Sequence, residues 1–228
     1  MAFTDRCGGT SAPPWESLNL GGLVGDDPES VAENRRIAAG DLGIDHERVV
    51  FMRQVHSAAA RYVTEPFGDD APELDAVCTD VPGLALAVLA ADCAPVLIAD
   101  PDAGVVGAAH SGRVGTLAGV VPALVKEMTA HGASTMVAVV GPMACGRCYE
   151  VPADMRDRAV AVLPETGSTT RQGTPALDLR AGIVAQLRQA GVQEIHHDAR
   201  CTIEDPDLYS HRREVVTGRQ AGYVWLEP

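Results

Sequence analysis

The chain has 228 residues, of which 46 % are hydrophobic and 21 % charged, a composition that excludes disordered and collagen-like classes and fits one large domain or two small ones. Its 31 acidic and 18 basic residues give a net charge of −13. That charge repels a phosphodiester backbone at long range and argues against bulk nucleic-acid binding, while leaving room for a small anion held by a few local arginines.

Aromatic residues are scarce, so Ala, Val, Leu and Ile must build the core. All but one of the basic residues are arginine. No internal repeat, low-complexity tract or long linker interrupts the chain, and residues 1–228 are read as one domain. The polar start MAFTDRCGGT lacks the basic and apolar segments of a secretory signal, so a cytoplasmic location is expected.

The first element in chain order is a helix. Asp27 is its N-cap and Pro28 its first residue, Val31, Ile37, Ala38 and Leu42 form its apolar stripe, and Gly43 is its stop. Val49–His56 reads as a strand. β-Branching and alternation place further strands near Leu84–Leu89, Pro95–Ala99 and Val105–Ala109. The run Leu84–Ala91 is too short to span a bilayer before Asp92 interrupts it.

Thr116–Ala130 is the clearest helix, with Leu117, Val120, Val121, Leu124, Val125 and Met128 on one face and Gly132 at its end. A strand at Met136–Val140 follows, completing a strand–helix–strand unit expected to be parallel. A helix near Leu179–Ala190, a strand at Glu194–His197 and a last strand at Gly222–Leu226 finish the chain. The strands outnumber what a purely alternating α/β fold needs, so mixed sheets covered by helices are expected.

Three coordinating side chains sit where apolar strands end: His56, Cys93 and His110. Strand ends are where a rigid sheet presents functional groups. Two imidazoles and a thiolate suit Zn²⁺, or Cu²⁺ as the alternative, and a three-ligand site keeps a fourth position open for chemistry such as water activation. Taken singly, each of the three is more often an ordinary structural residue, and the spacing of the three along the chain is not diagnostic.

Cys145-Gly146-Arg147-Cys148 is a C-x-x-C. The extended look of Tyr149–Pro152 argues against a thioredoxin-type motif, and the lack of a second pair argues against structural zinc, so a plain turn beside the active site is expected. Arg212-Arg213 suits either phosphate binding or pairing with carboxylates, and in an acidic chain the ion pairs are favoured. Gly8-Gly9 and Gly21-Gly22 match no phosphate loop, no G-x-S-x-G elbow occurs, and adjacent His196 and His197 face opposite ways on a strand.

A set of ordered motifs then makes the chain recognisable. These are Thr4–Gly9, Ser17–Gly21, Val24–Pro28, Glu33–Arg35, Gln54-Val55-His56, Ala91–Pro95, Ala109–Arg113, Gly141-Pro142, Cys148–Val151, Cys201-Thr202, Tyr209–Arg213 and Thr217–Arg219. Together they resemble the YfiH-like laccase-domain family, also called the purine nucleoside phosphorylase or "polyphenol oxidase" family, nearly end to end. The resemblance implies a four-layer α/β sandwich with zinc and catalysis at His56, Cys93 and His110. It also implies phosphorolysis of adenosine, inosine, guanosine and 5′-methylthioadenosine, and adenosine deamination. One motif departs from the family's A-H-A-G-W-R-G-T: here it reads Ala109-His110-Ser111-Gly112-Arg113-Val114-Gly115-Thr116, with the tryptophan missing and the arginine one place early.

On this reading the substrates are purine nucleosides and inorganic phosphate, with no nucleic acid or membrane partner, and the chain is a monomer or homodimer. Arg53, Gln54, Arg113 and Arg212 are the candidates for holding phosphate or nucleoside. Asp92 either orients Cys93, acts as a general acid/base, or caps local N–H groups at a strand end. Rival readings are a copper polyphenol oxidase, disfavoured by seven histidines with no H-x-H; a metal-free hydrolase with Cys93 as nucleophile; and a binding module with a degenerate site.

Overall fold

The computed structural model describes residues 1–68 and 70–228. Two mixed sheets stack face to face. The four-stranded sheet has the order β1 (Ala2–Phe3), β12 (Gln220–Trp225), β5 (Ala85–Ala90), β2 (Val49–Phe51), with β2 and β5 parallel and the other pairs antiparallel. The six-stranded sheet has the order β11 (Glu194–His197), β8 (Val137–Val140), β6 (Ala94–Asp100), β7 (Val105–Ser111), β4 (Ala76–Thr79), β3 (Ala60–Tyr62). In it the two outermost pairs are parallel and the inner ones antiparallel. A short ribbon of β9 (Gly167–Thr169) and β10 (Pro175–Leu177) lies apart.

Strand alternation sorts the core into three slabs. Leu86 and Val88 of β5 and Val224 of β12 pack against Leu97 of β6 and Val106 and Ala108 of β7 between the sheets. Ala85 and Ala87 point the other way, onto Ala38 and Ile37 of α1 (Pro28–Asp41). Val96, Ile98, Val105 and Ala109 face α3 (Val120–Ala130) and α5 (Leu179–Gln189). The order is helix, sheet, sheet, helix, the four-layer sandwich the motifs implied. Because β6 and β7 are covered on both faces, they read as near-continuous apolar runs. Gly107 lets α3 approach: a Cβ there would lie 2.7 Å from Met128 Sδ and 2.9 Å from Leu124 Cδ1.

Several expected boundaries move. The strand at 49–56 ends at Phe51, because His56 takes a left-handed turn (φ +63°) that no strand accommodates. The helix expected at 116–130 is two helices, α2 (Arg113–Ala118) and α3, broken at Gly119 with φ +87°. The expected strand–helix–strand unit is present as β7, α2–α3 and β8. Strands β7 and β8 run parallel, but β6 lies between them and is antiparallel to both. Asp27 accepts a hydrogen bond from Ser30 N–H and caps α1 as expected. Buried Asn34, absent from the expected apolar stripe, accepts from Thr10 N–H and donates to the carbonyls of Ser17 and Asn19, tying the 10–19 segment to α1. The remaining helices are α4 (Ala153–Val162) and α6 (His211–Glu214). Among the described residues no helix is long and apolar enough to cross a membrane.

Candidate active site

The site forms where the chain crosses between the sheets. Strand β5 of the smaller sheet ends at Ala90, β6 of the larger begins at Ala94, and Asp92-Cys93 make the crossing, Asp92 with φ +90°. His110 lies within the end of β7, opposite Pro95 in the ladder, and His56 arrives from the loop after β2. Only His110 is thus on a strand. The metal-ligating atoms of the three residues lie within 4.8 Å of one another. Cys93 Sγ is 3.8 Å from His56 Nε2, and the two imidazole rings meet edge to face with centroids 4.8 Å apart. Gly112 makes this approach possible, since a Cβ there would sit 2.6 Å from Cys93 Sγ and 2.9 Å from His56 Cδ2.

Asp75 organises the cluster and was missed in the sequence. Fully buried at the start of β4, its carboxylate accepts from His110 Nδ1 at 2.8 Å, from the backbone N–H groups of Val55, His56 and Ser57 at 3.1, 3.0 and 2.6 Å, and from the Ser57 hydroxyl at 2.9 Å. It fixes the His56 loop and, by engaging Nδ1, leaves His110 Nε2 for the site. The available signal was an acidic residue inside the apolar run Leu74–Val77.

The electrostatics follow from this packing. Burial works against the Asp75 carboxylate, but the hydrogen bonds from His110 and Ser57 outweigh it and bring its pKa down to about 2. Burial likewise opposes charge on Cys93, and the adjacent His110 and His56 overcome it, lowering the thiol to about 6. For His110 burial pushes down while the Cys93 charge and the Asp75 hydrogen bond lift it to about 9. Without a metal, Cys93 and His110 therefore form a thiolate–imidazolium pair. Two imidazoles and a readily ionised thiol, one ring oriented by a carboxylate, match the donor set that holds Zn²⁺ with an open position, and equally admit copper.

The other expected site residues divide. Asp92 is fully occupied: its carboxylate accepts from the hydroxyls of Thr202 (2.6 Å) and Ser210 (2.7 Å) and from Arg212 N–H (2.7 Å). Gln54 pairs its amide with the backbone N–H and C=O of Leu89, pinning the His56 loop to the end of β5. Exposed Arg53 faces Glu73 at 3.6 Å. Arg212 stacks on the Tyr149 ring and donates to Glu150 C=O at 2.9 Å. Half-buried Arg113, at the start of α2, makes no hydrogen bond or ion pair among the described residues. Arg219, not singled out as a site residue in the sequence, is desolvated and close enough for the charges of Cys93 and Asp92 to act on it; burial lowers its pKa and those charges oppose the shift. Thr217-Gly218-Arg219 was one of the resemblance motifs, which is the signal that could have found it.

Fold and cluster together define a four-layer mixed α/β protein in which two histidines and a cysteine, donor groups able to hold a metal ion, meet at the crossing between its sheets. The chain belongs to the multi-copper polyphenol oxidoreductase laccase family, whose model matches residues 1–227. It is 55 % identical over 230 residues to a purine nucleoside phosphorylase of Streptomyces coelicolor, covering all of this chain and 95 % of that protein. It is 49 % identical over 226 residues to a purine nucleoside phosphorylase of Mycobacterium tuberculosis, covering 98 % and 90 %. Among solved structures it superposes on YlmD from Geobacillus stearothermophilus with a TM-score of 0.90 at 34 % identity, covering 99 % of this chain and 91 % of that one. On the hypothetical protein YfiH from Bacillus licheniformis the TM-score is 0.90 at 31 % identity, with the same coverage.

Proposed function

We propose that the chain is a zinc-dependent purine nucleoside phosphorylase acting on adenosine, inosine, guanosine and 5′-methylthioadenosine, and that it also deaminates adenosine. The names of its relatives support the class of reaction. The observation that carries the reading is the convergence of His56, Cys93 and His110, with Asp75 orienting His110. Those three residues would hold Zn²⁺, which when bound would supply Lewis-acid chemistry. In phosphorolysis a phosphate oxygen attacks C1′, the C1′–N9 bond breaks and the base leaves with a proton. In deamination water adds at C6 and ammonia leaves.

The chain's own residues bind and orient. Arg113, whose guanidinium has no partner among the described residues, and Arg219, which feels the charges of Cys93 and Asp92, neutralise phosphate, and Arg212, stacked on Tyr149, is the third candidate. Asp92 and Gln54 hold the Cys93 and His56 segments, so their role is positioning. Arg53 has its charge offset by Glu73 and contributes least. Residues 1–228 act as one domain, monomeric or homodimeric, in the cytoplasm.

The family model's laccase description makes copper-dependent phenol oxidation the second reading. The test is an assay of metal-analysed protein with adenosine, with and without phosphate, alongside Cys93→Ala. Adenine formed only with phosphate, inosine formed without it, and loss of both in the variant are expected. A copper-loaded protein that oxidises phenols and leaves adenosine intact overturns the proposal.

A further inference from the structure

A second group of metal-ligating atoms converges outside this site. The sulfurs of Cys145, Cys148 and Cys201 and the carboxylate of Glu204 all lie within 4.8 Å of one another. Two turns far apart in the chain bring them together. In the first, Cys148 and Tyr149 N–H both donate to Cys145 C=O, at 2.9 and 3.0 Å, closing the C-x-x-C so that both thiols face one side. In the second, Glu204 and Asp205 N–H donate to Cys201 C=O at 3.0 and 2.8 Å, setting Glu204 one turn beyond Cys201. The turns are joined where Met143 pairs with Cys201 and Thr202 N–H donates to Met143 C=O at 3.2 Å.

We propose that Cys145, Cys148, Cys201 and Glu204 form a second, structural Zn²⁺ site. Three soft thiolates with one carboxylate complete a tetrahedral set and leave no open position, which is the pattern of a structural rather than a catalytic zinc. Ligand atoms at about 2.0–2.3 Å from a tetrahedral ion stand roughly 3.3–3.8 Å apart, so the cluster needs only a small contraction to close on it. Cys145 N–H already donates to Cys201 Sγ at 3.3 Å, the kind of contact that supports a ligating thiolate. Arg171 lies 3.3 Å from Cys148 Sγ and pairs with Glu204, so a cation stands ready to offset the negative charge of three thiolates and a carboxylate around one divalent ion. Binding displaces the thiol protons to solvent, with no change in oxidation state.

The site clamps the catalytic crossing from outside. Ala144, next to Cys145, donates its N–H to Asp92 C=O at 3.0 Å, and Thr202, next to Cys201, donates its hydroxyl to the Asp92 carboxylate. Both arms thus hold the residue that precedes Cys93.

Metal content reads this second site directly and nucleoside turnover does not, so its loss is distinguishable from loss of the activity proposed for the first site. Chain produced with zinc and desalted is analysed for metal as wild type, as Cys93→Ser and as Cys148→Ser. The Cys93→Ser protein is expected to keep one zinc. Loaded with Co²⁺ instead, it is expected to show strong thiolate-to-cobalt charge-transfer absorption, which Cys93 can no longer supply and which the added substitution Cys201→Ser removes. Cys148→Ser is expected to lose one zinc equivalent relative to wild type. A Cys93→Ser protein without zinc and without that absorption overturns the proposal, as does a disulfide among Cys145, Cys148 and Cys201 in protein purified under reducing conditions.

Discussion

At Asp75 a single buried carboxylate accepts five hydrogen bonds, one of them from the imidazole of His110. Replacing it by Asn puts an NH₂ group against N–H donors and leaves buried groups unpaired. Asp75→Asn is expected to lower unfolding free energy by about 3 kcal/mol, read from urea denaturation. It is also expected to weaken zinc binding by about 10- to 100-fold in a chelator competition. The neighbouring thiol gives a second residue-scale prediction. With the metal stripped, Cys93 ionises as pH rises through about 6, so its alkylation, followed by mass spectrometry, is expected to climb through that pH and level off above it. Cys78, which burial pushes up to about 12, stays unreactive at neutral pH. In His110→Ala the favourable charge is gone and burial prevails, so the Cys93 profile moves to higher pH. An unmoved profile would contradict the thiolate–imidazolium pair.

Among the elements, the break between α2 and α3 shows how one residue redirects a helix. The apolar stripe of 116–130 is continuous in the sequence, and Val120, Val121, Leu124, Val125 and Met128 are all buried as its period requires. Gly119 nevertheless adopts φ +87°, caps α2 and starts α3, so that α2 follows the end of β7 while α3 lies across the sheet. A Cβ at Gly119 meets no atom within 4 Å, so the cost of Gly119→Ala is conformational alone. It is expected at about 1–2 kcal/mol in thermal or urea unfolding, with Gly119→Asn losing less because Asn tolerates the left-handed region. Equal losses for the two variants would place the strain elsewhere. The His56 turn follows the same logic: a non-glycine residue at φ +63° is held there by the Asp75 hydrogen bonds to three successive N–H groups.

For the whole molecule, stability resides in the three apolar slabs, and the slab between the sheets also fixes the site. Leu97 is fully buried there, on the strand that the Cys93 crossing enters. Leu97→Ala is expected to cost about 3 kcal/mol by the lost transfer energy and the cavity left behind, measured by urea denaturation. A loss below about 1 kcal/mol would mean that the sheets close over the gap and that this layer is more plastic than its burial implies.

The apolar periods and turn residues by themselves determined the α1 cap, the strands around 85–111 and 194–197, and the mixed α/β class, because these depend on local pattern and on burial of both faces. The chemistry of His56, Cys93 and His110 was legible as residue type at segment ends, and the ordered motifs raised it to a family resemblance. Tertiary structure alone decided which groups meet. It brought Asp75 under two histidine segments, put Arg219 within reach of the charges on Cys93 and Asp92, turned Gln54 and Asp92 into braces, and joined Cys201 and Glu204 to a C-x-x-C that looked solitary. The physical reason is that hydrophobic period fixes which face of an element is buried, whereas a carboxylate's partners depend on how separate elements cross, and local sequence carries no record of that crossing.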